Sequence, residues 1–336
     1  MRDADLCARF VRDDENPDYI IASDNCLYVR EDCEKLREYL HRRRDSIFIF
    51  LNCECFEPDM NIFDYAFTWN PDFVYSDRIT HNIPSAYGTR DFYMNDLTRE
   101  NAREILSSSP KFCNFIYSHP CEPRDSFFHL LSQYKPVDSW GKHLNNTPRP
   151  PHSNEGWYME NIRWKTGYKF SIAMENASCK GYTSEKIITS LQAHTVPIYW
   201  GDPAVADLIN PKAFINCNDY SSFDEVVERV KEIDNNDELW LDMVTQPWQT
   251  EEQHDKVARM LDDNDAFIRN IFTQDIKKAR RRAIGTWPDS CRKGFTGIIG
   301  VMPPLYLRAA RKARALIGKL IPARIKPAVK KFLHMN

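Results

Sequence analysis

The stretch that decides the fold is Tyr168-Lys169-Phe170-Ser171-Ile172-Ala173-Met174-Glu175-Asn176-Ala177-Ser178-Cys179-Lys180-Gly181-Tyr182-Thr183-Ser184-Glu185-Lys186. It begins as a continuous apolar run of strand length, passes through a polar loop containing Gly181, and opens a helix over Ser184–His194. A buried strand feeding a Gly-containing loop and then a helix is the unit of parallel α/β proteins. Thr183 or Ser184 reads as the N-cap, which places Tyr182, Glu185 and Lys186 around the first helical turn. Free backbone N–H groups and the helix dipole favour an anion there, and Lys186 adds a point charge suited to phosphate. Glu185 would repel phosphate but can accept hydrogen bonds from ribose hydroxyls. The same residues also fit an ordinary capped helix with a solvated lysine, and that reading stays open at this point.

Working outward, strand-like and helix-like runs alternate on both sides. Upstream lie strands at Asp18–Ser23 and Ser46–Asn52 with a helix over Glu31–Arg43 between them. A second series has a strand at Lys111–Tyr117, a helix over Arg124–Tyr134, and strands at Pro136–Asp138, Val196–Trp200 and Phe214–Cys217. A helix over Asp224–Ile233 closes it. Ser107-Ser108-Ser109-Pro110 is the natural boundary. The expected architecture is two Rossmann-like domains facing a cleft, residues 1–108 and 109–275, with 276–336 forming a tail. Ligands of such sheets bind beyond the carboxyl ends of the strands.

The 336 residues carry 45 Lys+Arg against 48 Asp+Glu, yet the balance is uneven. Cys291–Asn336 holds eleven basic and no acidic residues, against a net −14 before it, so the tail is expected to have a job of its own. Apolar residues recur there about every four positions between Arg311 and Lys331, as in a basic amphipathic helix for an anionic membrane surface, with a helix packed on the body as the alternative. Lys277–Arg282 reads as the hinge to it. No nucleic-acid motif accompanies the charge. No run reaches the roughly 20 apolar residues of a membrane span, and Met1–Leu6 has no apolar secretory core. The ten cysteines show no C-x-x-C pair, so free thiols in a reducing cytoplasm are expected and no structural metal.

The core stretch, with His194-Thr195-Val196-Pro197-Ile198-Tyr199-Trp200-Gly201-Asp202-Pro203 after it, closely resembles the signature of the α1,3-fucosyltransferases of glycosyltransferase family 10, the bacterial members above all. The resemblance continues through Asn210-Pro211-Lys212, Phe214-Ile215-Asn216 and Phe223-Asp224-Glu225. Upstream it includes Glu54, Pro58-Asp59-Met60-Asn61-Ile62-Phe63-Asp64-Tyr65-Ala66 and Asp77-Arg78, for a span of about Asn16 to Met243. It implies a GT-B fold, GDP-fucose as donor, and inverting transfer to a GlcNAc-containing or N-acetyllactosamine-type glycan, with an α1,3 linkage. Carried over, residues 1–108 form the acceptor side and 109–275 bind the donor. Asn176, Tyr182, Glu185 and Lys186 match donor-binding positions. Arg124 follows the matching Ser118-containing turn and with it faces the donor, neutralising charge on the leaving GDP, and Lys142 adds a phosphate contact unless it is simply solvated. Glu54 matches the general base, although Cys53-Glu54-Cys55 replaces a Gly-Glu-Asn type sequence; Glu57 and Asp59 are the fallbacks.

Arginine, lysine and a helix terminus supply the charge that a divalent ion supplies elsewhere, so no metal or other cofactor is expected. Asp3-Ala4-Asp5 and Asp263-Asn264-Asp265 read as solvated charge. About 17 residues precede the first strand, where the family resembled has an earlier strand and helix. The resemblance therefore implies an acceptor domain shortened at its start, whether as a short natural version, through a misread initiation site, or by loss of part of that domain. The expected localisation is cytoplasmic and peripheral to the membrane. Two rival readings are a non-catalytic glycan- or nucleotide-sugar-binding protein with a truncated acceptor domain, and the same fold using another GDP-sugar.

Overall fold

The computed structural model describes residues 12–13, 15–43, 45–83, 95–283 and 288. The amphipathic segment between Arg311 and Lys331, Asp3-Ala4-Asp5, Cys7 and Cys291 lie outside the described residues.

Two all-parallel sheets are present. The first has four strands in the order β1 (Tyr19–Ser23), β2 (Ile47–Leu51), β3 (Tyr65–Thr68), β4 (Ile79–His81). Short helix α1 (Asn25–Tyr28) and α2 (Arg30–Arg42) form the crossover between β1 and β2. The second sheet has β5 (Lys111–Phe115), β6 (Val137–Ser139), β7 (Tyr168–Ile172), β8 (Val196–Tyr199) and β9 (Ile215–Asn216), in the order β6-β5-β7-β8-β9. This is the GT-B arrangement expected from the alternating pattern. The continuous apolar runs of β2 and β7 are those of strands covered on both faces: Ile47, Phe48, Ile49 and Phe50 are all buried, as is every residue of β7.

The chain order reverses direction about β5, which has β6 on one side and β7 on the other. At such a point the loops leaving adjacent strands diverge and open a crevice at their carboxyl ends. The loops after β5 and β7 therefore flank the crevice of the second half.

The second half has the larger core. Phe115, Phe127, Leu131, Phe170, Val196, Ile198, Val226, Val230 and Trp240 pack together between its sheet and helices α4 (Glu122–Ser132), α7 (Phe223–Asp234) and α8 (Asp237–Val244). Helix α3 (Arg99–Ser107) buries Ala102 in this same core. Across the sheet, α6 (Glu185–Gln192) buries Ile187, Ile188 and Leu191, and α5 (Trp157–Lys165) lies against it.

Helix α9 (Glu251–Thr273) ties the halves together. It starts with a Thr250/Gln253 capping box and runs for 23 residues, roughly 35 Å. Val257 near its start belongs to the second half, whereas Phe267 and Ile271 pack on Ile47, Ile49 and Tyr65 of the first sheet. Asn264 bonds the Thr80 hydroxyl and the His81 carbonyl of β4, while its neighbours Asp263 and Asp265 are exposed.

The basic run after it is docked on the first half. Arg282 pairs with the fully buried Asp64 at 3.4 Å, Arg281 with Asp77 and Arg280 with Asp45. Asp64 also accepts the backbone N–H groups of Phe48, Arg281 and Arg282, while Arg78 holds the Met60, Phe63 and Asp64 carbonyls. Lys277–Arg282 is thus anchored chain, not a free hinge, because buried Asp64 needs these partners. The Asp64 and Asp77-Arg78 marks are the structural fittings of that joint.

Candidate active site

The loop between β7 and α6 is built around Glu175, which is completely buried. Its carboxylate accepts the Ser184 N–H at 2.8 Å, the Ser184 hydroxyl at 2.7 Å and the Lys186 ammonium at 3.0 Å. The helix start is organised by this carboxylate, since neither Thr183 nor Ser184 caps it with a side-chain oxygen. The Thr183 hydroxyl instead donates to Asp202, which also accepts the Gly181 N–H. Tyr182 precedes the helix and is not part of its first turn. Gly201 allows this packing: a Cβ there would lie 2.5 Å from Glu175 Cγ.

Lys186 keeps its proton firmly. Burial works against the charge, but the Glu175 and Glu185 carboxylates outweigh it and raise the pKa well above the ordinary lysine value. Behind the helix, fully buried Lys165 donates to Thr189 Oγ1, Ser190 Oγ and the Lys186 carbonyl; burial pushes its pKa down to about 7.

Arg124 stands on the first turn of α4, at the carboxyl end of β5, where the turn through Ser118 leads to it. Only 4% exposed, it stacks 4.1 Å over the Tyr117 ring, donates to the His119 carbonyl, and leaves Nε without a partner. Burial raises the pKa of Tyr117, with Arg124 and Lys186 both acting against that shift, so the two cations share one neighbourhood. Ser118 and Lys142 are exposed, in the loops after β5 and β6.

Glu54 comes from the other half, in the turn after β2. Buried Asn52 shapes that turn by accepting the Glu54 N–H and donating to the Phe56 carbonyl. Glu54 Oε2 accepts Asn176 Nδ2 at 2.8 Å and the Tyr182 hydroxyl at 3.1 Å, across 122 and 128 residues of sequence. The fallback carboxylates are committed elsewhere: Glu57 bonds Thr68 and Asn70, and Asp59 bonds Asn61. More contacts cross at the same place. Lys180 pairs with Asp72 at 2.8 Å, and Trp69 meets the Tyr182 ring edge-on at 5.4 Å. Gly181, at φ +85°, passes so close that a Cβ would fall 2.0 Å from the Trp69 carbonyl oxygen. Cys55 and Cys179 form a disulfide with Cα atoms 6.5 Å apart. This corrects the expectation of free thiols throughout: the pair is invisible to spacing because 124 residues separate its members. Cys26, Cys33, Cys53, Cys113, Cys121 and Cys217 are free.

Of the residues named from sequence, the structure joins Glu54, Asn176 and Tyr182 directly and sets Lys186 and Glu185 at the neighbouring helix start. Sequence reasoning passed over the anchors Glu175, Asp202 and Asn52. An acidic residue just beyond a buried strand was the available signal for Glu175, because a carboxylate there must find cations or N–H groups.

Two parallel Rossmann-like sheets with a polar site between them are the GT-B fold of nucleotide-sugar glycosyltransferases. Crystal structures described as α1,3-fucosyltransferase, one of them with GDP-fucose, share it. The GDP-fucose complex superposes with a TM-score of 0.57 at 22% identity, over 80% of this chain and 94% of that one; another gives 0.58 at 23%, over 79% and 82%. Residues 108–278, half of the chain, match the model of the glycosyltransferase family 10 (fucosyltransferase) C-terminal region. The chain belongs to this family. It is 30% identical over 240 residues to the α-(1,3)-fucosyltransferase FucT of Helicobacter pylori, covering 62% of this chain and 48% of that protein. It is 31% identical over 210 residues to a protein of Acanthamoeba polyphaga mimivirus named as a fucosyltransferase (61% and 34%), and 33% over 131 residues to the GDP-fucose protein O-fucosyltransferase 3 of Xenopus laevis (37% and 28%). The chain thus spans less than half the length of these curated relatives.

Proposed function

We propose that the protein transfers fucose from GDP-fucose to a hydroxyl of a GlcNAc-containing glycan, with inversion, an α1,3 linkage and Glu54 as general base. The observation that carries this reading is the meeting of Glu54 with Asn176 and Tyr182 across the cleft. Both bonds fall on Oε2, and Oε1 takes no protein hydrogen bond among the described residues. That oxygen is left for the acceptor hydroxyl. As the hydroxyl oxygen attacks the anomeric carbon, its proton passes to Glu54 and the bonding pair departs with the GDP phosphate. Lys186, permanently charged beside Glu175, and Arg124, with its unpartnered Nε, neutralise the leaving diphosphate. Glu185 holds the ribose, and Ser118 and Lys142 border the phosphate side.

This chemistry calls on fixed cations for the charge a metal would carry, and we propose transfer without metal or other cofactor. We also propose that the C-terminal segment holds the enzyme on an anionic membrane surface at its cytoplasmic face. No helix among the described residues is long and apolar enough to cross a membrane. Alkylation of thiols in intact cells tests the compartment, because a cytosolic location predicts a largely reduced Cys55–Cys179 pair.

The deciding experiment follows GDP release from GDP-fucose, with and without N-acetyllactosamine, in EDTA. Acceptor-dependent release that survives EDTA and falls about 10²–10⁴-fold in Glu54→Gln, with donor binding retained, is the expected result. Absence of GDP-fucose binding overturns the reading, and preference for GDP-mannose reassigns the donor.

A further inference from the structure

We propose that the Cys55–Cys179 disulfide is a covalent clasp across the cleft, positioning Glu54 against the donor loop and making turnover depend on the redox state of this pair. The inference rests on the fucosyl-transfer reading above. Cys55 directly follows Glu54, and Cys179 lies between Asn176 and Tyr182, the two residues that Glu54 touches. The bond therefore joins the base turn to the donor loop within three residues of every hydrogen bond between them. The other ties at this place are weaker. Lys180–Asp72 is exposed, and exposed pairs hold little. The Trp69–Tyr182 contact is a single edge-to-face pair. Elsewhere the halves are joined mainly through α9, which packs on the first sheet through Phe267 and Ile271. Without the clasp, Glu54 would rest on two hydrogen bonds at a partly open surface.

Both cysteines are partly exposed, so a small dithiol can reach them. One of its thiolates attacks a sulfur of the pair and breaks the S–S bond. Its second thiol then resolves the mixed disulfide. Two electrons and two protons end on Cys55 and Cys179 as thiols, and the reagent leaves as its cyclic disulfide. The nearby Cys53 is a poor competitor: burial first, then Asp24, push its pKa up to about 11, so little thiolate forms at neutral pH. Cys121 is engaged with the Asn176 carbonyl at 3.3 Å, on the donor side of the same loop.

The test uses the full chain, prepared oxidised and after dithiothreitol, together with the Cys55→Ser/Cys179→Ser double variant. Peptide mapping without reductant should recover a 55–179 cross-linked pair. Acceptor-dependent kcat should fall at least fivefold on reduction, while the GDP-fucose Kd moves less than twofold. The double variant should match the reduced enzyme and ignore dithiothreitol. Hydrogen exchange should quicken in residues 52–57 and 176–184 on reduction, a readout that needs no turnover. Free thiols at both positions in the unreduced protein overturn the clasp, as does an unchanged kcat with unchanged exchange. A chain that shows the cross-link and the exchange response but neither binds nor turns over GDP-fucose sinks the functional reading and leaves the clasp standing. A fall in kcat accompanied by an equal loss of donor affinity assigns the bond to general stability instead of positioning.

Discussion

The two walls of the cleft are made differently. The donor wall, Glu175 to Lys186, is held by its own half: Glu175 anchors Ser184 and Lys186, Asp202 anchors Gly181 and Thr183, and a large apolar core lies below. The base wall is one turn after β2, shaped by Asn52 and then held by what reaches over from the donor loop. The wall to which the proposed function assigns the diphosphate is preorganised inside one folding unit. The wall to which the proposed function assigns the base is assembled between units, and its geometry depends on how they dock.

If that contrast is right, the largest stability loss comes from the donor wall. Glu175→Gln keeps the shape but leaves Lys186 without its counter-charge, and should lower stability by about 3 kcal/mol in urea unfolding. GDP-fucose affinity should fall with it. A stable Glu175→Gln protein with normal donor binding would break the comparison.

Gly181→Ala acts on the seam. The new Cβ meets the Trp69 carbonyl and the backbone sits at positive φ, a cost of about 2 kcal/mol. Because Trp69, in the loop after β3, belongs to the same half as Glu54 and not to the half of the donor loop, acceptor-dependent kcat should drop more than tenfold while the GDP-fucose Kd changes little.

Lys165 gives a pH signature of the donor half. Folding lowers its pKa from the ordinary lysine value to about 7, so the folded chain binds fewer protons than the unfolded one between those limits. Stability should rise with pH across that window by roughly 1 kcal/mol per pH unit and be flat in this contribution below it. Chemical denaturation of Lys165→Met at pH 7 and 9 should show the slope removed. The smallest effect is expected from Lys180→Met. Its exposed pair with Asp72 should contribute less than about 1 kcal/mol to unfolding and fade in high salt.

Much of the frame was legible in the chain. β1, β2, β5, β7 and β8 and helices α2, α4, α6 and α7 lie within a few residues of their reading, since long apolar runs and amphipathic periods survive tertiary packing. The strands β3 (Tyr65–Thr68) and β4 (Ile79–His81) are absent from the sequence reading, although β6 and β9 are no longer and are present in it, so length alone does not decide legibility. Helices α3, α5, α8 and α9 went unread too, and α9 matters most, since it connects the halves. At Lys277–Arg282 the sequence shows the charge and not its role, for nothing local shows that Asp64 and Asp77 wait 204 to 218 residues away.

By itself the sequence determined what is local or carried by a motif: a strand–loop–helix unit over 168–194, an alternating α/β frame, and a carboxylate just beyond the second strand. Only the tertiary structure decided which groups meet. It brought Glu54 onto Asn176 and Tyr182 and paired Cys55 with Cys179. The reason is range. Propensity and periodicity act within about one turn or pleat, whereas these contacts arise where separately packed cores dock and bring residues up to 128 positions apart into hydrogen-bonding distance.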